Sequence, residues 1–390
     1  MYQGTYQLPK IERVVFGRPA ADVVREEAER AGARRVVVFA PEILARNTEV
    51  LSRLERALGE RHALTWTRMA AHTPREDVVA ATEAARAAGA DLLVTVGGGS
   101  ITDAAKVVNS CLANDVRTVE QMDLLRKPPG ASMVGGREGL RAPALAQVAV
   151  PTTLAAAEFT AYAGVTNTAT RLKEVFTHPL QVPKVVVLDP EVTLHTPQAL
   201  WLSTGIRALD HAVEDICSID AQPYSQGTAL QAIRLLARAL PQTLRDPTDL
   251  RARLDAQVAA WLSTVGSQAG VNKGASHGIG HALGGTGGVP HGFTSCILMP
   301  HVMKFNQPVV GDRHALISEA MGEPGVDAWR LVERLIAELG LPRSLREVGL
   351  EAPETLDAIA EAAMHDPWIK TNPRPIGSAA EVRALLDLAR

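Results

Sequence analysis

Four apolar runs in the first half of the chain constrain the fold more than any other feature. Arg35–Ala40 (RVVVFA), Asp91–Val96 (DLLVTV), Ala146–Val150 and Val185–Leu188 are short, rich in Val and almost free of polar alternation. A strand with one wet face alternates apolar and polar residues, whereas a continuously apolar strand must be covered on both faces. The intervening segments supply that cover, because Pro41–Leu58, Arg75–Ala88 and Thr102–Ala113 read as helices. Apolar strands separated by helices predict a parallel sheet between helical layers, an α/β domain. The stretch from Val116 to Arg141, with its PPG and GG, reads as an irregular excursion or lid before the next strand.

Beyond Asp189 the pattern changes. Ser203–Ile219, Ser225–Leu240, Asp246–Ser267, Asp327–Leu339 and Pro353–Met364 all carry helical periodicity, punctuated by Gly and Pro. The expected organisation is therefore an α/β domain over residues 1–190 and an all-helical domain over 191–390. A chain of 390 residues exceeds one small core, which agrees with two domains. A net charge of −3 gives no reason to expect nucleic acid or an anionic membrane as a partner. The three cysteines, Cys111, Cys217 and Cys296, form neither a disulfide framework nor a CxxC site, which fits a reducing compartment. The N-terminus lacks a signal-peptide pattern, and no apolar stretch reaches the roughly 18–20 residues that span a bilayer. A cytoplasmic protein is expected.

Two local features carry chemistry. In Val94–Lys106 (VTVGGGSITDAAK) a strand runs into Gly97-Gly98-Gly99-Ser100 and then a helix. Glycines let the backbone approach a pyrophosphate, and N–H groups at the helix start attract its charge. The second feature is residues 273–301, which hold four of the eleven histidines. Interleaved glycines there suggest a backbone that brings several imidazoles to one point.

GGGSITDAAK resembles the GGGSxxDxxK signature of the iron-containing alcohol dehydrogenase family. Further landmarks of that family recur in order: Pro151–Thr153, Asp189–Pro190, the DHAVE segment around His211, His277–Gly292 and Leu298–Asn306. The resemblance implies the dehydroquinate synthase-like fold, a dinucleotide-binding α/β domain joined to a helical domain with the active site in the cleft between them. It implies pyrophosphate binding by Gly97, Gly98, Gly99 and Ser100, with Asp103, Thr152, Thr153 and Lys173 lining the cofactor site. It also implies a homodimer built through the N-terminal strands.

In metal-binding members an Asp and a His one helical turn apart meet two later histidines on a divalent ion. The His positions correspond to His211, His277 and His291, and His281 matches the family's proton-relay residue. Three imidazoles and one anionic oxygen suit Zn²⁺ or Fe²⁺. The Asp position, however, holds Arg207. Guanidinium stays protonated and offers no lone pair. A unit cation about 4 Å from a divalent ion is repelled by several kcal/mol even at an effective dielectric near 20. Asp210 projects roughly 100° away from His211 on a helix, which makes it an awkward substitute. Glu214 lies nearer that face, but its family counterpart is not a ligand. Either Arg207 turns aside and three histidines hold Fe or Zn, or no metal is bound.

Maleylacetate reductases, a subgroup of the family, resemble this chain in HALGG, in the Ala40-Pro41 turn and in the terminal NPRP at Asn372–Pro375. Their Asp position is also not aspartate, metal is unnecessary to them, and they reduce oxo dicarboxylates. Two departures stand: Gly278 where the subgroup usually has Lys, and Arg207 where it usually has Asn. The expectation is an NAD(P)H-dependent oxidoreductase that reduces the carbonyl of maleylacetate or a related oxo acid, with His281, His277 and Arg207 catalytic. NADH is favoured over NADPH, with Glu42 the nearest acid to the first strand's end. The alternative is a metal-dependent alcohol dehydrogenase acting on a small primary alcohol or aldehyde.

Overall fold

The computed structural model describes residues 6, 8–128, 138–170 and 172–390. These fall into two compact units, Gln7–Thr196 and Pro197–Arg390, with Tyr6 belonging to the second. The middle of the excursion expected at Val116–Arg141 lies outside the described residues. At its start is a 3₁₀ turn, Glu120–Leu124.

The first unit runs β1 (Arg13–Phe16), α1 (Ala20–Arg30), β2 (Val36–Phe39), α2 (Glu42–Asn47), α3 (Val50–Leu58), β3 (His62–Trp66) and α4 (Arg75–Ala87). It continues with β4 (Leu92–Gly97), α5 (Gly99–Ala113), β5 (Ala146–Pro151), β6 (Tyr162–Asn167), β7 (Leu172–Thr177), β8 (Val185–Leu188) and α6 (Pro190–Thr193). Six strands form a parallel sheet in the order β1-β8-β5-β4-β2-β3, while β6 and β7 form a separate antiparallel hairpin. The absence of polar alternation has the expected cause. Val36, Val38, Leu92, Val94, Val148 and Val185 pack in one core with α1 and α3, while Val37, Phe39 and Leu93 enter a second core with α4 and α5. Successive side chains point to opposite faces, and both faces are covered.

Three local expectations need correction. The helix expected over Pro41–Leu58 is two helices, because Thr48 is extended and spends its hydroxyl on Leu44 O (2.7 Å) and Val50 N (3.2 Å). Such local side-chain bonds compete with helix continuation. The outer strands β1 and β3 were not foreseen, being only partly buried and mixed in polarity. The β6–β7 hairpin was also missed, since its residues carry no continuous apolar run.

The second unit is helical: α7 (Gln198–Cys217), α8 (Pro223–Arg245), α9 (Leu250–Leu262), α10 (Val265–Gln268), α11 (Ala275–Gly285), α12 (His291–Ala320), α13 (Ala328–Glu338), α14 (Pro353–Ala363) and α15 (Ala379–Leu388). Gln222, Asp249 and Ser378 cap α8, α9 and α15 through their side chains. The histidine-rich segment, whose interleaved glycines suggested a backbone gathering imidazoles, forms α11 and the start of α12. Glycine lowers helix propensity, but here it allows close packing. A Cβ at Gly278 would lie 3.2 Å from Ile369 N, and one at Gly280 would lie 3.2 Å from Thr294 Oγ1. Among the described residues, no helix is long and apolar enough to cross a membrane.

Candidate active site

In the α/β unit, β4 ends at Gly97 and the 15-residue α5 begins at Gly99, with Gly98 as an N-cap that contributes no side-chain bond. A helix start without a side-chain cap presents its N–H groups and positive dipole end to an anion. The sheet order reverses here, since β3 lies outboard of β2 while β5 lies on the far side of β4. Ligands of open α/β sheets bind at the carboxyl ends of strands at such a point. A Cβ at Gly97 would meet Ile101 Cγ1 at 2.7 Å and Pro41 Cδ at 3.2 Å, so packing alone demands glycine there. At Gly98 a Cβ would meet Thr153 Cγ2 at 3.0 Å, filling the notch between loop and threonine. Thr152 N donates to Gly97 O (3.0 Å), and both threonines are buried. These features fit a dinucleotide's pyrophosphate.

The remaining residues of that expected set have visible structural work. Asp103 accepts from Gly164 N (3.0 Å) and Lys106 Nζ (3.3 Å), tying the β6–β7 hairpin to α5. Lys106 is wholly buried and also donates to Ala157 O (2.7 Å) and Tyr162 O (2.8 Å). Beside it burial pushes the Glu158 carboxyl up to about 7. The Lys173 side chain stands over Gly164, where a Cβ would overlap it. Ser100 is engaged by a turn that sequence reasoning did not flag: His72 N donates to Ser100 Oγ (3.2 Å) and Thr73 Oγ1 to Ser100 O (3.0 Å). His72 and Thr73 both have left-handed φ, 65° and 57°, strained conformations for non-glycine residues.

In the helical unit, α7 presents Arg207, Asp210, His211 and Glu214 at i, i+3, i+4 and i+7, neighbours on one helical face. Arg207 Nη1 donates to Ser295 Oγ at 2.9 Å and lies 3.7 Å from Asp210 Oδ2. That same oxygen accepts from Ser295 Oγ (2.6 Å) and Ser276 Oγ (2.8 Å). Glu214 closes the start of α11, accepting from Gly274 N and Ser276 N at 2.9 Å each, and its Oε2 lies 2.8 Å from His277 Nδ1. Burial and then Asp210 push the Glu214 carboxyl up to about 8. Burial, followed by Arg207, holds His277 well below its ordinary value, so its imidazole is neutral at pH 7. His211 is lowered for the same first reason, with Lys273 next. Lys273 itself pairs with buried Asp215 and donates to His211 O (2.9 Å).

Two sequence landmarks meet behind this network. Asn372 of NPRP accepts from Ala275 N (3.0 Å) and exchanges bonds with Asn306 at the end of Leu298–Asn306 (2.8 and 3.1 Å). In front of it the rings form pairs: His211 with His277 at 4.9 Å between centroids, and His281 stacked on His291 at 6.0 Å. His281 and His291 are exposed and His211 is half-buried, while His277 and Arg207 are each only 2% exposed.

The donor set bears on a metal. Among the described residues, the group whose ligand atoms lie within 4.8 Å of one another is Asp210, Glu214 and His277, not the three histidines His211, His277 and His291. In that group Asp210 Oδ2, both Glu214 oxygens and His277 Nδ1 are already hydrogen-bonded or paired, and a buried guanidinium stands beside them. The guanidinium disfavours a divalent ion there, whereas Asp210 Oδ1, His211 Nδ1 and His277 Nε2 are buried without a hydrogen-bond partner. Ser276 and Ser295 carry no sequence signal that separates them from ordinary helix residues, while Asp210 and Glu214 lie in the DHAVE landmark but were discounted there as ligands.

Residues 11–190 match the family description "Iron-containing alcohol dehydrogenase", and residues 201–389 match "Fe-containing alcohol dehydrogenase family, C-terminal". Maleylacetate reductase 1 of Cupriavidus pinatubonensis is 30% identical over 379 residues, covering 97% of this chain and 95% of that protein. The 1,3-propanediol dehydrogenase of Klebsiella pneumoniae is 34% identical over 309 residues, covering 77% of this chain and 76% of that protein. The crystal structure of maleylacetate reductase from Agrobacterium tumefaciens superposes with a TM-score of 0.82 at 30% identity, covering 100% of this chain and 98% of that one. With both units matched almost end to end, the chain belongs to the iron-containing alcohol dehydrogenase family and is an NAD(P)-dependent oxidoreductase.

Proposed function

We propose that this enzyme reduces the carbonyl of a small oxo acid, maleylacetate or a relative of it, and does so without an essential metal. The observation that carries the reading is Arg207, a buried cation bonded to Ser295 and set 3.7 Å from Asp210, at the position where metal-binding relatives carry a ligand aspartate. Gly97, Gly98, Gly99 and Ser100, with Thr152 and Thr153 beside them, would hold the pyrophosphate; Asp103 and Lys173 support that site through the hairpin. The nicotinamide supplies the hydride when bound.

The residues of the helical unit do the rest. Arg207, buried with Ser295 and Asp210 and close enough to His277 to lower it, is a fixed positive charge whose field favours an anionic substrate and the oxygen on which negative charge develops. His277 pairs with the His211 ring, its orientation set by Glu214. His281, accessible to solvent, delivers the proton to the new hydroxyl oxygen and takes another from water. NADH is the preferred donor because Glu42 sets an acid just beyond the end of β2, and NADPH is tolerated because that acid lies in the first turn of α2 paired with Arg46 rather than at the strand's tip. A homodimer formed through the edge strand β1 would cover Phe16, which is 57% exposed.

The test is a screen of NADH oxidation across keto acids and aldehydes, with chelator or with added Zn²⁺ or Fe²⁺. Turnover of oxo acids that chelation leaves intact supports the reading. The second reading, a metal-dependent dehydrogenase of small primary alcohols, draws on the clustered ligand atoms of Asp210, Glu214 and His277. It requires one metal ion per purified chain and activity that chelation removes.

A further inference from the structure

His281 has a partner outside every motif considered so far. Its Nδ1 lies 2.8 Å from Oδ2 of Asp366, whose side chain is 16% exposed. The other oxygen of that carboxylate accepts from Trp368 N (2.9 Å), capping the 3₁₀ turn Pro367–Ile369. The turn can press on α11 because Gly278 has no side chain, since a Cβ there would lie 3.1 Å from Ile369 Cδ1 and 3.2 Å from Ile369 N. Trp368 is thereby seated on both histidines of α11, with ring centroids 5.0 Å from His281 and 5.6 Å from His277.

We propose that Asp366 is a positioning residue: its carboxylate fixes the ring orientation and tautomer of His281 while the same group anchors Trp368 as the apolar wall beside that ring. An ionised carboxylate only accepts, so the proton of neutral His281 sits on Nδ1. Nε2 is then the atom that gains a proton from water and gives it to the oxygen of the reduced carbonyl, while the Nδ1–H stays with Asp366. In a carboxylate–histidine pair the acid holds the imidazole in the working tautomer and does not itself take the proton. The inference rests on the carbonyl-reductase reading, in which His281 is the proton donor.

The test is Asp366→Asn in the full-length protein. The amide oxygen can still cap Trp368 N, but the amide nitrogen now faces His281 Nδ1 as a donor and drives the proton to Nε2. Nitrogen-15 chemical shifts of labelled histidines, assigned with His281→Ala, should show Nδ1–H in the parent and Nε2–H in the variant. We expect kcat to fall by about 10²–10³-fold, with KM for NADH and the melting temperature almost unchanged. In a His281→Ala background, Asp366→Asn should cost no more than about twofold, since it acts through a ring that is gone. Asp366→Glu, which keeps the carboxylate, should recover at least tenfold over the Asn variant. Equal losses from Asp366→Asn with and without His281, or an unchanged tautomer, would overturn the proposal. A parent that oxidises NADH with no carbonyl would sink the reductase reading instead, and the nitrogen shifts would still report on the pair.

Discussion

Replacing Arg207 with Asp inverts the charge at the centre of the buried network. In the parent, the guanidinium lies 3.7 Å from Asp210 Oδ2 and bonds to Ser295 at 2.9 Å. Removing it leaves Asp210 buried with two hydroxyl donors and no cation, and losing one partner of a buried pair costs about 3–5 kcal/mol. A carboxylate in its place repels Asp210 by about 4 kcal/mol at roughly 4 Å and an effective dielectric near 20. Relaxation and protonation absorb part of this, so a net loss of ~5 kcal/mol is expected, a large share of the 5–15 kcal/mol typical of folded domains. A divalent ion offsets part of this loss, because the variant offers one new carboxylate to the candidate ligands His211, His277 and His291. Ion at 100 times its Kd restores about 2.7 kcal/mol. The assay is thermal melting with elemental analysis, each with chelator and with added Zn²⁺ or Fe²⁺. The parent should hold far less than one metal per chain, and neither its melting nor its NADH oxidation should respond to chelator. The variant should melt well below the parent, recover with metal, and lose turnover of carboxylate-bearing ketones. One tightly bound ion in the parent, with activity lost on chelation, would refute the reasoning.

Further outcomes can be checked in parallel. Gly98→Val should weaken NADH binding at least tenfold, because its Cβ fills the notch 3.0 Å from Thr153, and fluorescence titration reads this directly. Unchanged affinity would mean the nucleotide lies elsewhere. His281→Ala should lower kcat by roughly 10²–10⁴-fold while barely moving the melting temperature, since the ring is exposed; the reverse pattern would mark a merely structural histidine. Glu158 is an acid whose folded value, about 7, stands above its unfolded 4.5, so the folded state binds more protons in that window. Stability should therefore fall as pH rises from about 4.5 to 7, by on the order of 3 kcal/mol. Denaturant unfolding of Glu158→Gln against the parent at pH 5 and 7.5 should show that this part of the slope is gone, and parallel curves would count against it.

Sequence alone determined the parallel sheet, the change to helices after Asp189, and the glycine loop between β4 and α5. Each is written in local pattern: apolar strands that need cover on both faces, helical periodicity, and a strand–glycine–helix junction. Pattern also singled out the histidine-rich stretch that holds His277 and His281, whereas Arg207 stood out only through the resemblance to the family, at the place of its aspartate. The helices α11 and α12 were not legible, since glycine and proline argue locally against them. Close packing of Gly278 on Ile369 and of Gly280 on Thr294 outweighs that local preference. Tertiary structure alone decided what Arg207 touches and which acid orients His281. Ser295 and Asp366 stand 88 and 85 positions from those partners, and no periodicity reaches so far. Contacts across that separation form only when helices pack, and packing also strips away water. That loss of water is what turns Arg207, Asp210 and Glu214 from ordinary helix residues into one interdependent buried network.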